Sequence, residues 1–194
     1  MRTAKVTRKT AETEISVELA LEGRGKAEIE TGIGFFDHML QNFARHGLFD
    51  LKILAKGDLH VDSHHTVEDT GITLGMAFKE AVGDMKGIKR AGFFFFPMDE
   101  ALSLVSCDIS GRPYLYFEYE FKIPRLGNFE TELVREFFHG FVRGLGCTLH
   151  IDVIRGYNTH HIIESIFKGF GKAVKEAVEI LPGLDEIPST KGVI

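Results

Sequence analysis

The chain has 194 residues, 44% of them hydrophobic and 26% charged, with a net charge of −5 when histidine is neutral. That is the composition of an ordinary globular protein, long enough for one large domain or two small intimate ones. The acidic balance leaves no basic footprint for nucleic acid, and no apolar run, Phe93-Phe94-Phe95-Phe96 included, is long enough to cross a bilayer.

No apolar core follows Met1-Arg2-Thr3-Ala4-Lys5, so no signal peptide is expected and the cytoplasm is the expected location. Cys107 and Cys147 are too few for a disulfide framework and read as small buried hydrophobes. Seventeen phenylalanines with no tryptophan imply a large apolar area, some of it available for subunit contacts.

In chain order, residues 3–9 and 14–21 read as strands, the second with Ile15, Val17, Leu19 and Leu21 alternating with polar neighbours. Gly23-Arg24-Gly25 is a turn, and Lys26 to Glu30 a short strand. Gly32 and Gly34 then precede an apolar helix carrying Phe36, Met39, Leu40 and Phe43, which His46-Gly47 ends with a glycine stop. The two glycines do not make a phosphate loop; they fit a tight turn that sets a helix start against a site. Residues 48–61 alternate again, and a helix over 64–86 follows, its apolar face running Val67, Gly71, Leu74, Phe78, Ala81 and Met85.

The second half repeats the order. Residues 92–109 and 113–122 are strand candidates interrupted by Pro97 and by Gly111-Arg112-Pro113. Residues 130–144 are helical, with His139 beside the core positions Leu133, Phe137 and Phe141. A strand over 147–155 leads to a second long helix over 158–181. Each half therefore reads strand, strand, helix, strand, helix, which predicts an α+β fold with sheets on one side and helices on the other. The tail from Pro182 to Ile194 has no helical period. Its Ser189-Thr190-Lys191-Gly192 offers hydroxyl, ammonium and backbone donors to a phosphate, although a disordered terminus reads the same way.

The two long helices begin with nearly the same words, His64-His65-Thr66-Val67-Glu68 and His160-His161-Ile162-Ile163-Glu164. Residues four apart share a helix face, so His64 faces with Glu68 and His160 with Glu164. Imidazole with carboxylate suits Mn, Zn, Fe or Ni. One such pair equally describes a helix cap or a solvated first turn. Here six of the nine histidines form two matching sets, His38 with His64 and His65, and His139 with His160 and His161. That order points to an internal duplication, each half carrying half of a binuclear metal chemistry.

The stretches Arg8-Lys9-Thr10-Ala11-Glu12-Thr13-Glu14-Ile15, Gly32-Ile33-Gly34-Phe35-Phe36-Asp37-His38-Met39, Asp62-Ser63-His64-His65-Thr66-Val67-Glu68-Asp69, Asn158-Thr159-His160-His161-Ile162-Ile163-Glu164 and Pro188-Ser189-Thr190-Lys191-Gly192 together resemble the imidazoleglycerol-phosphate dehydratase family. The resemblance covers nearly the whole chain. It implies an internally duplicated α+β fold, residues 1–87 and 88–194, each half a four-stranded sheet covered by two helices and similar to the second domain of a ribosomal protein. It implies two Mn(II) ions per active site and a homo-oligomer of 24 subunits built from trimers. It implies conversion of D-erythro-imidazole glycerol phosphate to imidazole acetol phosphate and water, in histidine biosynthesis, through a metal-stabilised imidazolate.

With that resemblance, His38, His64, His65, Glu68, His139, His160, His161 and Glu164 are the expected metal ligands, and Glu14, Glu68 and Glu164 the expected catalytic residues. Glu12, Arg90, Arg112, Ser189 and Lys191 are the expected substrate contacts, the last four as a phosphate clamp. His65 and His161 point about 100° from their neighbours on a helix of ~3.6 residues per turn, so they are expected to serve a second metal across a subunit boundary. Two other readings use the same ligands: a binuclear metallohydrolase and a metal-storage or metal-assembled structural protein. The first predicts hydrolytic release of phosphate or an acyl group; the second needs neither the Glu12 and Glu14 pair nor the Ser189–Lys191 tail.

Overall fold

In the computed structural model, which describes residues 1–194, the repeated sequence order becomes a repeated topology. The first repeat runs β1 (Thr3–Lys9), β2 (Thr13–Ala20), β3 (Ala27–Glu30), α1 (Gly34–Gly47), β4 (Asp50–Gly57) and α2 (His64–Val82). The second runs β5 (Ala91–Met98), β6 (Ala101–Asp108), β7 (Tyr114–Tyr116), the small pair β8 (Arg125–Leu126) and β9 (Phe129–Glu130), then α3 (Leu133–Leu145), β10 (Thr148–Arg155) and α4 (Thr159–Ala177). The two four-stranded sheets have the orders β1-β2-β4-β3 and β5-β6-β10-β7. In each, the last pairing is parallel and the others antiparallel. Matching order and matching direction in both sheets are what a duplication produces. No helix is long and apolar enough to cross a membrane.

Several boundaries differ from the sequence reading, each for a local reason. Residues 92–109 are a hairpin, β5 and β6 turning at Asp99-Glu100. Pro97 lies within β5, where an edge strand spares its missing N–H. The predicted strand 113–122 keeps only 114–116. The strand expected over 48–61 stops at Gly57, leaving Leu59 and Val61 exposed. The helix expected over 64–86 stops at Val82, because Gly83 turns the backbone to φ 75°. Gly47 is not the αL stop of α1; Leu48 takes that conformation (φ 54°). Gly47 is required for space instead, since a Cβ there would lie 2.3 Å from the Phe49 ring and 2.9 Å from the Gly171 carbonyl.

The repeats are divided in sequence but not in packing. α1 packs on α4 and α2 on α3, so each helix pair joins the two halves. Phe36, Phe43, Phe78, Phe137, Phe141 and Phe170 interlock in one apolar core of 50 residues between the sheets. A second duplicated feature ties each sheet to its long helix: Thr13 Oγ1 donates to Asp69 at 2.5 Å, with Arg8 2.6 Å from the same carboxylate, and Ser103 pairs with Ser165 at 2.6 Å.

The α2–α3 crossing has backbone against backbone. A Cβ on Gly71, Gly75, Gly140 or Gly144 would stand 2.2–2.4 Å from a carbonyl oxygen of the facing helix. Neither helix can retreat without opening the shared core. Gly144→Ala is therefore expected to destabilise the fold by at least the ~1–3 kcal/mol of an overpacked core, despite alanine's better helix propensity. A denaturant midpoint equal to that of the unmodified chain would show that the crossing relaxes freely.

The outer faces of the sheets contrast. Across the first sheet runs the row Lys5, Glu18, Lys52, Glu28, alternating in charge and ion-paired at 2.7 Å (Lys5–Glu18) and 2.8 Å (Lys52–Glu28). The matching row of the second sheet is Phe93, Ser106, His150, Tyr116. Beside it Phe95 and Tyr114 are half exposed, at 50% and 57%.

Candidate metal centre

Sequence sets the start of α4. Asn158 is its N-cap, its side-chain oxygen accepting from the His160 and His161 amides at 2.9 and 3.3 Å. The first turn that follows aims His160 and Glu164 along one face. His160 Nε2 lies 3.0 Å from Glu164 Oε2, and His38 Nε2, from α1, lies 3.5 Å from the same oxygen. The ligand atoms of His38, His160 and Glu164 all fall within 4.8 Å of one another. Ligands held ~2.0–2.2 Å from a shared ion stand roughly 3.0–3.5 Å apart, so these residues fit a divalent metal in spacing and in donor type. Phe35 packs edge-on against the His160 ring at 5.1 Å and limits its rotation.

Burial pushes the Glu164 carboxyl up, but Lys168 at 2.7 Å together with His160 outweighs it and holds the group below the usual carboxylate range. Lys168 sits one turn beyond Glu164 and is itself mostly buried. The sequence reading passed over it. Its i,i+4 spacing from Glu164 was the available signal.

α2 starts differently. Ser63 makes no side-chain cap, and Asp62 instead accepts from the His64 amide at 2.8 Å. His64 Nε2 lies 3.8 Å from Glu68 Oε2, looser than its counterpart. His139, half buried on α3, is next to Gly140, where that helix crosses α2 at Glu68. Arg143, one turn beyond His139, forms an ion pair with Glu68. So the structure closes one metal-sized group within the chain, not two; at the other, an arginine occupies the carboxylate.

The second histidine of each motif turns away, as helical geometry requires. The rings of His64 and His65 are 6.1 Å apart at 81°, and those of His160 and His161 are 6.3 Å apart at 81°. His65 Nδ1 meets Asp58 at 3.0 Å, and His161 Nδ1 meets Glu100 at 2.8 Å. The His161 ring and the Asn158 amide hold the Glu100 carboxyl down to about 2, and Glu100 in turn raises His161. Asp58 raises His65 in the same way.

The two strand glutamates separate. β1 ends at Lys9, so Glu12 lies in the turn and reaches past the sheet end to within 3.8 Å of His65 Nδ1. Glu14 projects from the open face of β2 and pairs with Lys9 at 2.9 Å. Within one chain, Glu12 and not Glu14 stands beside the histidines.

The four residues expected to bind phosphate gather elsewhere. Arg90, a left-handed residue at φ 74°, bonds Asp108 at 2.7 Å and the Pro188 carbonyl at 2.8 Å, so it touches the tail beside Ser189. Lys191 N donates to Ser189 Oγ at 3.2 Å, and the tail's end, Ile194, lies against Gly111 beside Arg112. This cluster is at the far end of the molecule from the histidines. Glu100 lies just before β6 and Asp108 ends it, and the strand itself spans about 24 Å at ~3.4 Å per residue. Arg90 N bonds the Ala177 carbonyl at the C-terminal end of α4, while His160 starts that helix, about 26 Å away at ~1.5 Å per residue.

Comparison with known proteins gives one consistent result. The sequence profile of the family described as imidazoleglycerol-phosphate dehydratase matches residues 31–174. A curated protein of that name from Caldanaerobacter subterraneus is 61% identical over all of both chains. One from Methylorubrum extorquens is 55% identical over 99% of each. Among solved structures, the imidazoleglycerol-phosphate dehydratase of Staphylococcus aureus superposes with a TM-score of 0.83 at 40% identity, over 92% of this chain and 99% of that one. The Pyrococcus furiosus structure reaches 0.85 at 41% identity, over 97% and 100%.

Proposed function

The chain belongs to the imidazoleglycerol-phosphate dehydratase family, and on that premise we propose that it converts D-erythro-imidazole glycerol phosphate to imidazole acetol phosphate and water in histidine biosynthesis, with Mn(II) as cofactor. The observation that carries the metal dependence is the His38, His160 and Glu164 group. A dehydration of this substrate has no carbonyl beside the hydrogen to be lost, so a base alone has no stabilised carbanion to form. The imidazole ring must take part. Loss of the ring N–H proton lets ring electrons expel the neighbouring hydroxyl, and loss of the adjacent C–H proton, with a proton returned to the ring nitrogen, then gives an enol that becomes the ketone. When bound, the metal would supply Lewis-acid stabilisation of the negative charge that develops on the ring nitrogen.

The chain's own residues do the rest. His38, His160 and Glu164 would hold one ion, and His64, Glu68 and His139 are the matching donors for a second, once Arg143 gives up Glu68. His65 and His161 complete the ligand sets from neighbouring subunits. Glu12 moves protons to and from the substrate, a role its place beside His65 supports better than the Lys9-paired position of Glu14 does. Glu68 and Glu164 keep the hydroxyl end of the substrate in an anionic, metal-ready setting. Arg90, Arg112, Ser189 and Lys191 bind the phosphate through charge and fork geometry.

A clamp about 24 Å from the histidines along one chain cannot serve them in that chain, because the substrate is far shorter. This separation supports a site shared between copies in a large homo-oligomer, a 24-mer of trimers. The aromatic row on the second sheet supplies apolar area for such contacts.

Purified protein with added Mn(II) is expected to turn over imidazole glycerol phosphate, with the keto product read by mass spectrometry. Release of inorganic phosphate instead would favour a metallohydrolase. Elemental analysis is expected to find about two Mn(II) per chain, from the two donor sets. His160→Ala should lose roughly one equivalent. Full occupancy after both His64→Ala and His160→Ala would end the metal reading.

A further inference from the structure

Resting on that metal reading, we propose that Asp58 and Glu100 are positioning residues that fix His65 and His161 in the Nδ1–H tautomer, leaving Nε2 as the ligand atom each ring presents. The contacts are specific to one ring nitrogen. Asp58 takes His65 Nδ1 with both oxygens, at 3.0 and 3.2 Å. Glu100 divides its oxygens: Oε2 takes His161 Nδ1 at 2.8 Å, and Oε1 accepts the Asn158 and Tyr157 amides at 2.8 and 3.3 Å. Neither carboxylate pairs with a lysine or arginine, so each is committed to its histidine. A carboxylate on the remote nitrogen sets the tautomer and orientation of a ligating imidazole and raises its basicity.

The duplication separates this arrangement from simple inheritance. Asp58 follows β4 and lies seven residues before its histidine, whereas Glu100 sits in the β5–β6 turn, 61 residues before its own. Copying a repeat would copy the partner with the histidine. Here the partner has changed its place in the fold while the contact has stayed on Nδ1. The residue of the first repeat that matches Glu100, in the β1–β2 turn, is Glu12, and it too faces His65 Nδ1, at 3.8 Å. Glu100 has a further consequence. Through Asn158 it ties the β5–β6 turn to the first turn of α4, so the His161 ring and the helix start are held by one side chain.

Two measurements test this, one of them independent of any metal. Solid-state ¹⁵N spectra of histidine-labelled, metal-free protein should show Nδ1–H rings at a pH where histidine is neutral. One such signal should vanish in Asp58→Ala and another in Glu100→Ala. Glu100→Gln keeps an acceptor for the ring and should keep its signal, which separates tautomer control from loss of folding. Titration of the metal-free protein with manganese(II) chloride, followed by electron paramagnetic resonance of the free ion, should show affinity falling about 10–100-fold in the alanine variants and largely recovering in Glu100→Gln. Unchanged ¹⁵N spectra in both alanine variants would overturn the proposal. Shifted spectra with no manganese binding, even by the unmodified protein, would uphold the tautomer control and overturn the metal reading instead.

Discussion

Glu12→Gln is expected to lose most turnover while keeping substrate affinity, whereas Glu14→Gln stays within about two-fold of the parent, since a positioned acid or base typically contributes ~10²–10⁴-fold. The two side chains are both exposed and only two residues apart, so charge and solvent access do not distinguish them. Geometry does. Glu12 follows the end of β1 and stands by His65, with no lysine or arginine paired to it. Glu14 is on the open sheet face, where Lys9 holds its carboxyl below the usual range and ties it down. A carboxylate already paired with an ammonium is a weaker base and is turned away from the histidines. Steady-state kcat and KM for the two variants decide the matter. If the Glu14 variant collapses and the Glu12 variant does not, a second chain must bring the β2 face to the site, and the proton-transfer role passes to Glu14.

Periodicity made most of the fold legible. The alternation in β2 and the apolar faces of α2 and α4 survive to within a few residues, because burial on one face is a local pattern. What the pattern cannot carry is contact between distant elements. The Asp99-Glu100 turn fell inside a stretch read as one strand candidate, so Glu100 had no signal linking it to His161, 61 residues on. The pairing of α1 with α4, which brings His38 to His160, depends on Gly47 and Gly171 letting two backbones approach. Glycine content alone does not say which helix approaches which. The His64 and His160 motifs are near-identical in sequence yet differ in the structure, because Arg143 claims Glu68 and the matching position on α1 is Asn42, which bonds His38 instead. Spacing within a motif was readable; occupancy of its carboxylate was not.

Two inactive variants are expected to restore one another when they are assembled together. His160→Ala removes a ligand from one end of the molecule, and Lys191→Ala removes a cation from the tail at the other. Each alone should be nearly inactive. If a site takes its histidines from one subunit and its clamp from another, a random equal mixture leaves roughly a quarter of the sites with both parts intact, as subunits of a symmetric oligomer exchange without preference. If both parts came from the same chain, mixing would restore nothing. The exchange has to be driven, and the metal offers the means. A chelator competes for the ion, as acid does by protonating its ligands, and a ligand set completed between chains should then let the proposed assembly fall into smaller units, expected to be trimers, that keep their helices and sheets. Circular dichroism should stay constant while light scattering drops. Returning Mn(II) to the mixed units should rebuild the large particle and the partial activity together. A stripped protein that keeps its full size would assign the assembly to apolar surface such as the Phe93–Tyr116 row; recovery of no activity on mixing would place clamp and histidines in one chain, against the ~24 Å that β6 puts between them.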